Sequence, residues 1–63
     1  MVARGEILVE FVQLGNTVKV TAIETASGTE ASIVGPANAP QSALKAAALQ
    51  KLNYVLKKQK AIG

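Results

Sequence analysis

Three short segments in the first half of the chain are rich in β-branched and apolar residues, and each predicts a β-strand. They span about residues 6–14, 17–26 and 29–35. Gly15-Asn16 separates the first two segments, and a glycine at the first of two central positions is typical of a type II′ hairpin turn. Ser27-Gly28 is a weaker two-residue turn signal before the third segment. The pattern predicts a three-stranded antiparallel β-meander.

The two turns fix which side chains share a face of this sheet. The first turn places Phe11 opposite Val20, and the second, closed by two residues, places Ala22 opposite Ile33. One face then collects seven apolar side chains, namely Ile7, Val9, Phe11, Val18, Val20, Ala22 and Ile33. We expect this face to form the core.

The second half of the chain carries the pattern of one long helix, over about residues 39–60. Asn38 is the predicted N-cap, with Gln41 three positions later as in a capping box, and Pro40 suits the first turn. An apolar stripe faces the sheet and comprises Leu44, Ala48, Leu49, Leu52, Val55 and Leu56. A helix of roughly 33 Å can cross the whole sheet. The predicted fold is a single α+β domain over residues 1–63, a two-layer β-β-β-α arrangement in which the meander packs on the C-terminal helix.

The composition leaves little chemistry for catalysis. The 63 residues include no cysteine, histidine or aspartate, so thiolate and imidazole ligands and the nucleophilic triads are excluded. Glu10 and Glu24 belong to opposite faces of the predicted sheet and do not form an acid/base pair. We therefore predict that the protein is not an enzyme. No catalytic, cofactor-binding or metal-binding residue is assigned, and no cofactor or small-molecule substrate is expected.

Acidic and basic residues are distributed unevenly between the two halves of the chain. The first half has four glutamates and two cations, a net charge of −2, whereas five lysines give the second half +5. Four of those lysines lie outside or at the border of the apolar stripe: Lys51, Lys57, Lys58 and Lys60. They are candidate contacts for a phosphate backbone, bound weakly and with strong salt dependence. Solvated lysines near a helix C-terminus are the simpler interpretation. Nucleic-acid binding is accordingly the alternative hypothesis.

The face of the sheet turned away from the helix carries the other candidate site. Its apolar side chains are Leu8, Val12, Ile23 and Val34. Polar residues are mixed among them, so this face is amphipathic. The leading hypothesis is a small non-catalytic protein-interaction or homodimerisation module, with an unknown protein or a second copy as the partner, using this face or an edge of the sheet. No apolar run approaches the length of a membrane span, and a cytoplasmic location without membrane contact is predicted.

Three stretches of the chain carry a family resemblance. They are residues 15–23 (GNTVKVTAI), 28–37 (GTEASIVGPA) and 51–56 (KLNYVL). In these stretches the chain resembles a family of short uncharacterised proteins from alphaproteobacteria, with Ala31 standing where a larger β-branched residue is usual. The resemblance implies a bacterial cytoplasmic protein that is a self-contained small domain. It implies no activity, substrate or site residue.

Overall fold

The computed structural model of the chain describes the backbone of residues 6–62 and the side chains of residues 6–58. The elements follow in the order β1 (Ile7–Leu14), β2 (Thr17–Glu24), β3 (Thr29–Pro36) and α1 (Gln41–Ile62). The strands form one antiparallel sheet in the order β1-β2-β3, and α1 packs on one face of it. The predicted α+β meander with a single C-terminal helix is confirmed.

The β1–β2 hairpin closes with two residues, as predicted, and Phe11 lies opposite Val20. Gly15 is the first of the two turn residues and has a φ of +63°, whereas no non-glycine residue in the described backbone has a positive φ. A positive φ at the first central position alone is the signature of a type II′ turn. The predicted turn type is therefore confirmed.

The β2–β3 connection is two residues longer than predicted, because it comprises residues 25–28. The prediction that Ala22 lies opposite Ile33 is wrong. Ala22 pairs with Ala31, and Ile33 pairs with Val20. Since side chains alternate between the two faces with a period of two, an error of two residues leaves every side chain on its predicted face. The core face is the predicted one, with a different register.

Glu24 explains the longer connection. Its carboxylate accepts hydrogen bonds from the Ser27 hydroxyl at 2.6 Å and from the backbone N–H groups of Ser27 and Ala26 at 3.1 and 3.2 Å. Its carbonyl oxygen accepts a further bond from the Gly28 N–H at 2.9 Å, and Gly28 has a φ of +73°. A two-residue turn at Ser27-Gly28 would lose this set of bonds, so local hydrogen bonding selects the longer loop.

Helix α1 begins at Gln41, two residues after the predicted start, and the prediction of Asn38 as the N-cap is wrong. The Leu44 N–H donates to the Pro40 carbonyl at 3.2 Å, which is the first bond of the helix. Pro40 therefore occupies the N-cap position. A turn closed by the Ala39 N–H and the Pro36 carbonyl, at 3.0 Å, separates the helix from β3.

The core lies between α1 and the β2–β3 half of the sheet. The buried apolar side chains are Val20, Ala22, Ala31, Leu44, Ala48 and Leu52. Three of the six are alanines, and short side chains on both layers allow the helix backbone to approach the strands closely. At Gly35 the approach is closer still, because a Cβ atom there would collide with the Leu44 side chain. The small residues of β2 and β3 thus determine where the helix lies.

Candidate interaction surface

Strand β1 is apolar and yet exposed. Six of its eight residues are apolar, but its side chains are all exposed except the half-buried Val9. In the described part of the chain, the exposed large apolar side chains are Ile7, Leu8, Phe11, Val12, Leu14, Val34 and Tyr54. Five of these seven belong to β1. A strand of this composition is typical of a sheet interior that is covered on both faces.

The helix does not cover the whole sheet. It packs on β3 and β2, and the side chains of β1 on the same face stay partly open to solvent. Ile7 is 49% exposed and Phe11 is 37% exposed, although both belong to the predicted core face. The helix-facing side of β1 therefore adds to the uncovered apolar surface, which was predicted only for the opposite face.

β1 is an edge strand, and the pairing with β2 shows which of its backbone groups are unpaired. The Thr25 N–H donates to the Glu6 carbonyl at 2.9 Å, so the backbone groups of Glu6 point towards β2. Because this direction alternates along an antiparallel strand, the even-numbered residues of β1 bond to β2 and the odd-numbered ones point outwards. The outer edge consequently presents the N–H and C=O groups of Ile7, Val9, Phe11 and Gln13.

The outer edge of β3 is protected in three ways. The Lys51 ammonium group reaches across from α1 and donates to the Ser32 carbonyl at 2.8 Å. By the same alternation Pro36 faces outwards, and it has no N–H to offer a further strand. Glu30 adds an exposed charge on this strand. Lysine, proline and charge are devices that discourage strand addition. Because β1 also carries an exposed glutamate, Glu10, the two edges of the sheet differ through Lys51 and Pro36.

The four predicted interaction residues lie on the face opposite the helix, which we call the back face, in two separate groups. Leu8 pairs directly with Ile23, whereas Val12 and Val34 lie on either side of Lys19. The row between the two groups is polar and consists of Glu10, Thr21 and Ser32. The hydroxyl groups of the last two lie 3.0 Å apart and share a hydrogen bond. The back face therefore offers two small apolar groups rather than one continuous patch.

The predicted nucleic-acid contacts do not form a uniform row of free cations. Lys51 is engaged by the β3 carbonyl, and the Lys58 ammonium lies 5.7 Å from the ring centroid of Tyr54, a cation–π contact one helical turn away. Lys57 is exposed. The side chain of Lys60 lies outside the described residues. Two of the three described lysines thus have partners within the chain.

The predicted placement of Glu10 and Glu24 on opposite faces is confirmed by the register. The pKa of the Glu24 carboxyl is lowered, chiefly by the hydrogen bond from the Ser27 hydroxyl, partly offset by desolvation and reinforced by the two backbone N–H groups of the turn. This carboxylate closes a loop and has a structural role.

The low pKa of Glu24 predicts how stability responds to acid. The pKa of Glu24 is lower in the folded chain than its ordinary value of 4.5. The ionised carboxylate therefore stabilises the fold above pH 4.5, and this stabilisation is lost as the pH falls through the pKa of the folded chain. Glu24→Gln should therefore show a smaller loss of Tm than the unmodified protein between neutral pH and pH values below 4.5, measured by circular dichroism. Glu30→Gln, an exposed carboxylate on β3, is the control. Equal losses of Tm in all three proteins would contradict the prediction.

The architecture defines a small two-layer α+β domain whose apolar edge strand is the candidate site. Residues 4–59 match the family model of DUF6898, a domain of unknown function, and the chain therefore belongs to that family. This agrees with the predicted resemblance to an uncharacterised family, while the bacterial origin stays a prediction. No curated protein and no solved structure matches the chain. Within the described residues, α1 lacks the combination of length and apolar character that a membrane crossing needs.

Proposed function

We propose that this domain is a non-catalytic interaction module whose partner is a second copy of itself, bound on β1. The observation that carries the proposal is the exposure of an apolar strand on both faces and along its outer edge. Burying such a strand removes apolar surface from water, which is the main favourable term in protein association. A chain of 63 residues also gains from a partner, because its own core is small.

The difference between the two edges supports a second copy as the partner. Adding β1 of one copy to β3 of the next would build an open-ended assembly, but Lys51 and Pro36 protect the β3 edge. Pairing of β1 with β1 uses the same surface on both copies and closes after two molecules. The protected edge thus favours a closed dimer over a fibre.

Nucleic-acid binding remains the alternative, and the geometry gives it less support. Lys51 and Lys58 are engaged within the chain, and the exposed Tyr54 ring is occupied by Lys58. A base would have to displace that cation before it could stack on the ring. The separation of Glu10 from Glu24 likewise supports a role without catalysis.

A matched pair of variants tests whether self-association uses β1. Val12 and Val34 lie in the same row of the back face, on either side of Lys19, but on opposite edges of the sheet. Val12→Glu should raise the dissociation constant of the dimer by about tenfold or more, because a carboxylate at a buried contact must be desolvated. Val34→Glu should change the dissociation constant much less, because position 34 lies on the far edge of the sheet and its carboxylate can act on the dimer contact only through Lys19. Sedimentation equilibrium over a wide concentration range measures both.

Two outcomes would contradict the proposal. A 6.5 kDa monomer at every concentration would exclude self-association. Equal weakening by Val12→Glu and Val34→Glu would indicate docking through the whole back face instead of through β1. Amide spectra of each variant must first show that the fold is retained.

A further inference from the structure

We infer that two copies pair their β1 strands antiparallel across a two-fold axis at Phe11, joining two three-stranded sheets into one of six strands. This inference rests on the proposed self-association and specifies its geometry. The axis is perpendicular to the sheet, so the helices of both copies lie on the same face of the six-stranded sheet. The inference follows from the unpaired backbone groups, the placement of the acids and the position of Lys19.

The alternation of backbone groups restricts the register. Only odd-numbered residues of β1 present N–H and C=O groups to the edge, so hydrogen-bonded pairs must join an odd-numbered residue to an odd-numbered one. In each strand the odd-numbered side chains point to one face of the sheet and the even-numbered ones to the other. Pairing odd-numbered with odd-numbered residues therefore places the helix-covered faces of the two copies on the same side of the joined sheet. For a symmetric pair that joins at least five residues of each strand, the axis can pass through Val9, Glu10, Phe11 or Val12.

The acidic residue in the middle of β1 excludes one of these positions. With the axis at Glu10, two carboxylates would face each other directly, which is destabilising. With the axis at Val9 only residues 7–11 of each strand would pair, and with the axis at Val12 only residues 10–14 would, so both positions leave three of the eight strand residues without a partner.

The axis at Phe11 pairs apolar side chains at the centre and at both ends of the shared segment. It places Phe11 opposite the partner's Phe11 and Leu8 opposite the partner's Leu14, so an aromatic pair and two symmetric apolar pairs form. The register uses residues 8–14, all within the strand as observed. The hydrogen-bonded pairs join Val9 to the partner's Gln13 and the two Phe11 residues to each other.

The same register brings opposite charges into one row of the back face. Lys19 pairs with Val12 within one copy, and Val12 then faces the partner's Glu10. Lys19 and that glutamate are two strand spacings apart, about 10 Å between Cα atoms, which extended lysine and glutamate side chains span. The symmetry creates this pair twice. Charge complementarity thus supports a second copy as the occupant of the edge.

Amide hydrogen exchange by NMR tests the pairing residue by residue. In the dilute monomer the odd-numbered amides of β1 should exchange fast, while the even-numbered ones are protected by β2. As the concentration rises, protection should appear at Val9, Phe11 and Gln13. Ile7 should stay unprotected because its partner position, Gly15, is in the turn and has a φ of +63°.

The exchange pattern separates the possible failures. Protection of Ile7 in place of Gln13 would move the axis to Val9 and overturn the register. Dimers without new protection on β1 would overturn edge pairing while leaving the proposed self-association intact. Monomers at every concentration would overturn both.

Charge reversal gives an independent test. Glu10→Lys or Lys19→Glu alone places like charges in the shared row, and each variant should dimerise about tenfold more weakly at low ionic strength. Mixing the two variants should restore association, because both rows of the mixed dimer then join opposite charges. The interactions within each copy are the same alone and in the mixture, so they do not affect the comparison. A mixture that associates no better than its components would overturn the inference.

Discussion

Replacing Leu52 by alanine should lower the free energy of unfolding by about 2–5 kcal/mol. Leu52 is 1% exposed and belongs to the buried cluster between α1 and the strands. A domain of this size has a total stability of roughly 3–9 kcal/mol, so the variant should lose a large share of its stability and unfold at a lower temperature and urea concentration. Thermal and urea unfolding followed by circular dichroism, at one fixed protein concentration, measures the change.

Lys57→Ala is the matched control for Leu52→Ala, since it also introduces alanine into α1 but at an exposed position. Its effect should be within about 0.5 kcal/mol. Helix propensity favours alanine at both positions, so a large loss at Leu52 alone reports the packing of the core. Similar stabilities for the two variants would show that α1 is not held on the sheet by this side chain.

The periodicity of apolar residues predicts the four elements and their faces because both depend on local pattern alone. It does not predict the length of the β2–β3 loop. A loop of two residues and a loop of four place the same side chains on the same faces, so the apolar pattern does not distinguish the two loop lengths. The difference is decided by the hydrogen bonds that the Glu24 carboxylate makes to the turn, which are a property of three-dimensional contacts.

The sizes of the core-facing side chains in the sequence indicate that the helix lies over β2 and β3, although the prediction considered only their apolar character. The core-facing residues of β3 include Ala31 and Gly35, whereas those of β1 include Ile7 and Phe11. A helix approaches most closely where the side chains beneath it are shortest, and so it lies nearer β3. This offset leaves β1 uncovered.

For the candidate site, as for the β2–β3 loop, the sequence predicts the features that depend on strand alternation and not those that depend on contacts between elements. The back-face positions of Leu8, Val12, Ile23 and Val34 follow from strand alternation, and the structure places them there. Their separation into two groups depends on the register. The protection of the β3 edge by Lys51 depends on the height and rotation of the helix over the sheet, which no local pattern specifies. The preference for β1 as the docking edge therefore emerges only from the assembled fold.

Gly35→Ala should destabilise the domain by about 1–3 kcal/mol, although alanine is generally better tolerated than glycine in a strand. The φ of Gly35 lies outside the positive range, so the backbone imposes no penalty on alanine. The penalty arises from the helix, because the new methyl group would meet the Leu44 side chain, which is buried and has little room to move. The measurement is again urea unfolding at fixed concentration.

A double-mutant cycle identifies the cause of that loss. In a Leu44→Ala background the collision disappears, so Gly35→Ala should then be neutral or stabilising by up to about 1 kcal/mol, since alanine restricts the unfolded chain. Gly28→Ala is a contrasting control: a Cβ atom there meets nothing within 4 Å, but the φ of +73° is strained for alanine, and its cost should be independent of Leu44. If Gly35→Ala costs the same with and without the Leu44 side chain, the close approach of α1 to β3 does not depend on this glycine. A loss that vanishes in the Leu44→Ala background would show that the missing side chain at position 35 allows the helix to lie over β3 and leaves β1 free.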